Sequence, residues 1–155
     1  MQFKTDIFHL KKTGMEGVNS YAFELKGKKT ITCAQIAHNT PVIDGAEVIY
    51  EKSTMRIEFS YPLKDKFIFS FSKPDGALGG FTKEEFVACV REGYRKIYDN
   101  EFDSCGFVGT VSNRCMNRAE SNGPFGIWGH YIEDLVLESA EWDENRDVWV
   151  LGIGS

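Results

Sequence analysis

The stretch Met55-Arg-Ile-Glu-Phe-Ser-Tyr-Pro-Leu-Lys-Asp-Lys-Phe-Ile-Phe-Ser-Phe-Ser72 contains two runs in which apolar and polar residues alternate. Alternation with a period of two is typical of a strand that buries one face and leaves the other in water. Residues 62–65, between the runs, have the composition of a turn. The stretch therefore predicts an antiparallel hairpin of strands 55–61 and 66–72, with Glu58 among the polar residues of the outer face.

A helix is predicted immediately after this hairpin. Thr82 and Glu85 have the spacing of a capping box, in which each side chain binds the backbone of the other residue. Apolar residues then recur every three or four positions, at Phe86, Val90, Tyr94 and Ile97. The pattern predicts one principal helix over about residues 82–99, packed on a face of the sheet.

Shorter β-rich runs precede the hairpin. Residues 20–25 and 30–37 flank Lys-Gly-Lys-Lys at 26–29, which predicts a hairpin turn, and residues 46–51 form a further short run. Several short strands beside one helix are typical of the α+β class, in which a mostly antiparallel sheet carries the helix on one face. We expect a single α+β domain that comprises residues 1–155.

The C-terminal part of the sequence predicts a β-hairpin. Residues 131–142 and 148–153 are two apolar-rich runs around a polar turn, and Trp142 and Trp149 lie where they would pair across the strands. Exposed tryptophans would instead form an interaction hot spot. For residues 130–138 the sequence does not decide between helix and strand, since their apolar positions also fit a helical turn.

Composition and charge restrict the class of protein. The chain has 155 residues, 42% of them hydrophobic, with 18 basic residues against 23 acidic ones and a net charge of −5. A nucleic-acid-binding protein usually has a basic surface, so the balance argues against DNA or RNA as a partner. Eight of the acidic residues lie in residues 119–155, where Arg146 is the only basic residue. This acidic part is a second candidate contact surface, for a cationic partner.

The sequence predicts an intracellular, cytoplasmic protein that does not enter a membrane. No window approaches the ~18 apolar residues that cross a bilayer, and the N-terminus lacks the pattern of a secretory signal. In a reducing compartment cysteines are mostly free thiols. We therefore expect no disulfides among the four cysteines, which are Cys33, Cys89, Cys105 and Cys115.

The candidate site lies in and after a long stretch, residues 101–128, that lacks a clear periodic pattern. Loops of this length are usually functional or disordered. The side chains of Arg114, Asn117 and Arg118 are suited to hold a carboxylate or phosphate, and Trp128 would supply a flat apolar wall. The alternative is structural, with both arginines paired to surface acids and the tryptophan in the core.

His130 and Asp134 form a second candidate group, for proton transfer. On a helix the two residues would be neighbours, whereas on a strand they would lie ~13 Å apart, at ~3.3 Å per residue. A thiol site, with Cys105 or Cys115 as nucleophile and His130 as base, is a further alternative. The sequence has no cofactor-binding motif and no Cys-x-x-Cys spacing for zinc, so we expect neither cofactor nor metal.

Tyr98-Asp-Asn-Glu101, Asn117-Arg118 and the run Gly126-Ile-Trp-Gly-His-Tyr-Ile-Glu-Asp-Leu-Val-Leu137 resemble a family of small uncharacterised proteins of large DNA viruses and protists. The resemblance covers the last third of the chain. It implies no activity, cofactor or catalytic residue.

Two functions follow as hypotheses. The first is a non-enzymatic binding module that recognises a protein partner or a small anionic ligand through residues 113–130. The second is a small enzyme or anion-ligand receptor, in which Arg114 and Arg118 hold the anion and His130 transfers a proton. An enzyme needs these three side chains to converge in a concave pocket, whereas a binding module does not.

Overall fold

The computed structural model describes residues 4–10, 22–24 and 34–155. Within this part of the chain, the secondary structure comprises nine strands, one α-helix and a short 3-10 helix at Ile132–Asp134. These elements are, in chain order, β1 (Lys4–Leu10), β2 (Ala22–Glu24), β3 (Ala34–Gln35), β4 (Val48–Tyr50), β5 (Thr54–Phe59), β6 (Lys66–Ser72), β7 (Phe81–Thr82), α1 (Lys83–Cys105), β8 (Val136–Asp143) and β9 (Val148–Gly154).

Among the described residues, seven strands form one sheet in the order β1-β6-β5-β9-β8-β2, with β3 also on β8. All of its pairs are antiparallel except β5 with β9, which run parallel, so the sheet is mixed. The α+β class, the single helix and the C-terminal hairpin of β8 and β9 are confirmed. Strands β4 and β7 form a separate two-stranded sheet.

The predicted hairpin is β5 and β6, which pair from Thr54↔Ser72 to Phe59↔Phe67. The inward side chains on both strands are buried and form the centre of the hydrophobic core. The prediction was wrong for Glu58, because this outer-face residue is only 2% exposed. Its carboxylate accepts a hydrogen bond from Arg146 at 2.7 Å, and Arg146 also donates to the buried Asp143 at 2.6 Å. The guanidinium group of Arg146 offsets the desolvation cost of burying the two carboxylates on this face of the sheet.

The capping box that opens α1 is confirmed. The Thr82 hydroxyl accepts from the Glu85 amide at 3.2 Å, and the Glu85 carboxylate accepts from the Thr82 amide at 2.9 Å. The helix packs on β5 at Gly93, where an added Cβ would lie 2.3 Å from Cζ of Phe59. Only glycine allows this approach of helix and sheet. The helix runs to Cys105, six residues beyond the predicted end near Asp99.

Strands β2 and β3 do not pair with each other in the described residues, in contrast to the predicted N-terminal hairpin. Both strands pair with β8, at Glu24↔Ser139 and Ala34↔Leu137. The proposed turn at 26–29 lies outside the described residues. Near the chain's end Trp142 and Trp149 are cross-strand partners, as predicted, and each ring meets that of Tyr50 edge-on.

None of the helices that the structure describes is long and apolar enough to cross a bilayer.

Candidate functional site

The candidate site is built on an irregular segment, residues 106–131, that connects α1 to the 3-10 helix. Its backbone forms two isolated bridges, Thr110↔Arg118 and Arg118↔Gly129. The Ala119 amide donates to the Gly109 carbonyl at 2.8 Å, and the Asn117 amide donates to the Gly129 carbonyl at 2.9 Å. Gly129 has a φ of 72°, in the region that favours glycine. The segment thus folds back twice and brings residues 113–117 over residues 128–130.

The carboxylate of Glu101, near the end of α1, anchors this segment. Glu101 is 1% exposed and accepts hydrogen bonds from the amides of Phe125 and Ile127, both at 3.0 Å, and from the Ser121 hydroxyl at 2.5 Å. Burial alone would raise the pKa of this carboxyl group, but the hydrogen bonds from Ser121 and from the backbone outweigh burial and lower the pKa. Glu101 therefore stays ionised and positions residues 121–127.

Arg118 is a structural part of the same anchor. Its guanidinium is buried, donates to the carbonyl groups of Ala119 and Ile127 at 3.0 Å each, and lies over the ring of Tyr98. These contacts hold the turn of the loop together. The structure does not bring Arg118 to the cavity described next, although the sequence places it among the candidate ligand-binding residues.

A cavity of about 600 Å³ lies between the folded-back segment and the end of the sheet. Its wall contains five of the six predicted site residues. These are Arg114, Asn117, Trp128, His130 and Asp134. Arg114 has an exposed side chain and forms no ion pair within the described part of the chain. The folded-back segment therefore supplies four of these five residues, and Asp134 of the 3-10 helix is the fifth.

Aromatic rings form the inner wall of the cavity. The rings of Tyr61 and Trp128 meet edge to face with centroids 5.1 Å apart, and the imidazole of His130 lies 5.9 Å from the Tyr61 ring and 6.1 Å from the Trp128 ring. The indole N–H of Trp128 donates to the Leu63 carbonyl at 3.4 Å, which fixes the ring. Such a wall suits the apolar part of a ligand.

His130 and Asp134 share the cavity wall but are not hydrogen-bonded to each other, and both belong to the described residues. Nε2 of His130 lies 3.2 Å from the Ser155 hydroxyl, which lies 2.7 Å from the Tyr61 hydroxyl. Oδ2 of Asp134 accepts from the Asn117 amide group at 2.9 Å and from the Tyr131 backbone amide at 3.0 Å. Residues 132–134 form a 3-10 turn, so the structure combines the helix and strand alternatives and yields no His–Asp pair.

In the side chain of Asn117, Nδ2 is hydrogen-bonded to a described residue and Oδ1 is not. Because Asp134 is an acceptor, the hydrogen bond between them fixes Nδ2 toward the carboxylate. Oδ1 is buried and accepts no hydrogen bond from the described residues. An unsatisfied buried acceptor costs ~1–3 kcal/mol. Asn117 thus brings to the cavity wall an acceptor that has no partner among the described residues.

The thiols that the structure describes differ in accessibility. Cys105 and Cys115 are exposed and Cys89 is buried, all three as free thiols, while Cys33 lies outside the described residues. Burial raises the pKa of the Cys89 thiol, with smaller contributions from Glu92 and Glu85. Cys115 lines the cavity. No cluster of three or more metal-ligating side chains occurs in the described residues.

Sequence reasoning missed Glu101, Tyr61 and Ser155. Glu101 lies four residues after Ile97, on the same buried face of α1. The helical spacing would have indicated it if a carboxylate had been allowed at a buried position. Tyr61 is the last apolar residue of the alternating run 55–61. Ser155 gives no signal in the sequence.

Comparisons of the chain with models of protein families, with curated proteins and with solved structures find no match. The resemblance to proteins of large DNA viruses and protists stays a prediction.

Proposed function

We propose that this protein is a binding module for a small molecule that carries a carboxylate or a phosphate group. The cavity beside residues 113–130 is its binding site. One observation carries the proposal: a concave space of about 600 Å³ has an arginine and a set of aromatic rings in the same wall. Its volume falls within the ~300–1,000 Å³ that is usual for small-molecule sites.

Arg114 is the anchor for the anion. A guanidinium group has two parallel N–H donors that match the two oxygens of a carboxylate or phosphate. Because Arg114 has no ion-pair partner in the described part of the chain, binding an anion breaks no existing salt bridge. Arg118 is occupied by backbone carbonyls and has no part in binding.

The concave shape favours a small ligand over a protein partner as the occupant. A protein partner would use the exposed surface of the 113–130 segment, and the acidic part 119–155 would be a second contact. Protein interfaces are mostly flat, whereas most of a small ligand's surface is enclosed by its pocket. A protein partner is therefore the outcome to consider when small anions do not bind.

Thermal unfolding in the presence of carboxylates and phosphates tests the proposal. A ligand at a hundred times its Kd adds ~2.7 kcal/mol, which raises Tm by roughly 5–10 °C for a chain of this size. We expect this rise to disappear in Arg114→Gln and to persist in Arg95→Gln, an exposed arginine of α1. Without ligand, both variants should match the wild type within ~0.5 kcal/mol. A panel without any shift, or an equal shift in Arg114→Gln, would refute the proposal.

A second candidate function, a small enzyme, is favoured by the hydrogen-bonded row of His130, Ser155 and Tyr61 in the cavity wall. Such a row would let His130 exchange a proton with a bound ligand. The test is product formation from esters and phosphate esters of the anions that bind. A catalytic His130 requires that His130→Gln loses turnover while the Tm shift remains. Equal rates in both proteins would exclude this role.

A further inference from the structure

The cavity presents two opposite charges that are not paired with each other. Arg114 and Asp134 both line it, and within the described residues neither has an ion-pair partner. Ion pairs of the described residues lie elsewhere, as for Lys52 with Asp147 at 3.0 Å. One cation and one anion therefore line the same cavity.

The position of Asp134 is fixed by the fold. Its Oδ2 accepts two hydrogen bonds, from the Asn117 side chain and from the Tyr131 amide that begins the 3-10 turn. Both donors act on one oxygen and are uncharged, so the negative charge of the carboxylate is not neutralised by the protein. A group held in this way is preorganised to bind a cation, because no side chain has to be reoriented.

A purely anionic ligand does not fit this arrangement well. Its charge would be attracted by Arg114 and repelled by Asp134 within the same cavity. A ligand with an ammonium group as well would meet an opposite charge at both places. The electron-rich faces of Tyr61 and Trp128 also attract an ammonium group.

We infer that the ligand is a zwitterion, whose carboxylate or phosphate binds Arg114 and whose ammonium group binds Asp134. This inference rests on the proposed function and adds the second recognition contact to it. Amino acids and amino-substituted phosphates are the chemical class. An uncharged amide or an acylated amine in place of the ammonium group removes the contact with Asp134.

Calorimetric titration with matched probes tests the inference. The probes are L-phenylalanine, its N-acetyl derivative without the ammonium group and its amide without the carboxylate, together with 6-aminohexanoate and its N-acetyl derivative as a longer pair. A hydrogen bond to a charged group is worth roughly 10–100-fold in affinity. We expect at least one zwitterion to bind at least tenfold more tightly than its acetylated counterpart.

Asp134→Asn is the matched variant, since it keeps an oxygen for Asn117 and Tyr131 and removes the charge. It should reduce the affinity for the zwitterion about tenfold and leave that for the acetylated probe unchanged or higher. Glu133→Gln, at the exposed neighbour, is the control and should change neither.

The outcomes separate this inference from the proposed function. If acetylated probes bind the wild type as tightly as the zwitterions do, and lose binding in Arg114→Gln, the protein binds anions and the inference is wrong. If Asp134→Asn weakens both kinds of probe equally, Asp134 only supports the loop and the inference is wrong. If no carboxylate or phosphate of any kind binds, the proposed function and the inference both fail. The comparison of probes on the wild type does not depend on the variant being folded.

Discussion

Replacing Glu101 by glutamine should destabilise the protein although the side chain keeps its shape. In the wild type one carboxylate oxygen accepts from Ser121 and Ile127 and the other accepts from the Phe125 amide. Glutamine has one acceptor oxygen, and its NH2 group would face a backbone N–H. The unmade bond to the buried amide costs ~1–3 kcal/mol, and the two remaining bonds lose the ~1 kcal/mol each that the charge adds.

The expected loss of unfolding free energy is therefore about 3–5 kcal/mol, or roughly 6–20 °C in Tm for a chain of this length. Urea denaturation followed by tryptophan fluorescence measures it. Asp103→Asn is the control, because Asp103 is an exposed acid two residues away on α1 and its loss removes the same charge. Equal stability of Glu101→Gln and Asp103→Asn would show that the carboxylate does not anchor the loop.

The stability difference should also depend on pH. The pKa of Glu101 lies below its ordinary value of 4.5, because the hydrogen bonds from Ser121 and the backbone outweigh burial. A carboxylate whose pKa is lower in the folded state contributes stability that is fully present above the unfolded pKa and lost as the pH falls through the folded pKa. The difference between wild type and Glu101→Gln should narrow as the pH falls below 4.5. An increase of the difference in unfolding free energy on acidification would contradict the lowered pKa of Glu101.

Three further predictions follow from the core and the thiols. Gly93→Ala should destabilise the protein by ~1–3 kcal/mol in urea denaturation, because the new methyl group would overlap the Phe59 ring and outweigh the ~1 kcal/mol that alanine adds to a helix. Arg146→Met should cost ~2–4 kcal/mol, since it leaves two buried carboxylates without their guanidinium. Brief alkylation of the native protein should label Cys105 and spare Cys89 in a peptide map.

Controls for these predictions lie close by in the chain. Asn100→Ala, at an exposed position of α1, should be neutral or stabilising, so a loss there as large as in Gly93→Ala would refute the overlap with Phe59. Lys96→Met removes a partly exposed i,i+4 ion pair and should cost less than ~0.5 kcal/mol. Labelling of Cys89 at the rate of Cys115 would contradict its burial.

The elements that the sequence predicts correctly are those with a strong local pattern. The alternation in 55–72 and the capping box at Thr82 are decided by neighbouring residues, and both are confirmed. The end of α1 was placed too early because the apolar stripe stops at Ile97. The next buried position is Glu101, whose carboxylate is satisfied by a loop that lies more than twenty residues ahead.

What the sequence could not predict depends on contacts between distant segments. The parallel pairing of β5 with β9 joins Ile57 to Trp149, and β1 was not predicted at all. In the candidate site, Arg114 and Arg118 look equivalent in the sequence. Only the fold-back onto Gly129 turns one inward to backbone carbonyls and leaves the other exposed in the cavity wall.

The fold-back also places Arg114, the proposed anion contact, in a short loop that one backbone hydrogen bond closes at its base. The Val111 amide donates to the Asn117 carbonyl at 3.1 Å, so the exposed residues 112–116 leave and rejoin the domain at a single closed point. Lengthening such a loop is cheap, at about 0.6 kcal/mol for each doubling. Insertions within residues 112–116 should therefore cost little stability. Libraries of such insertions would vary the loop that carries Arg114 and would sample new ligand preferences.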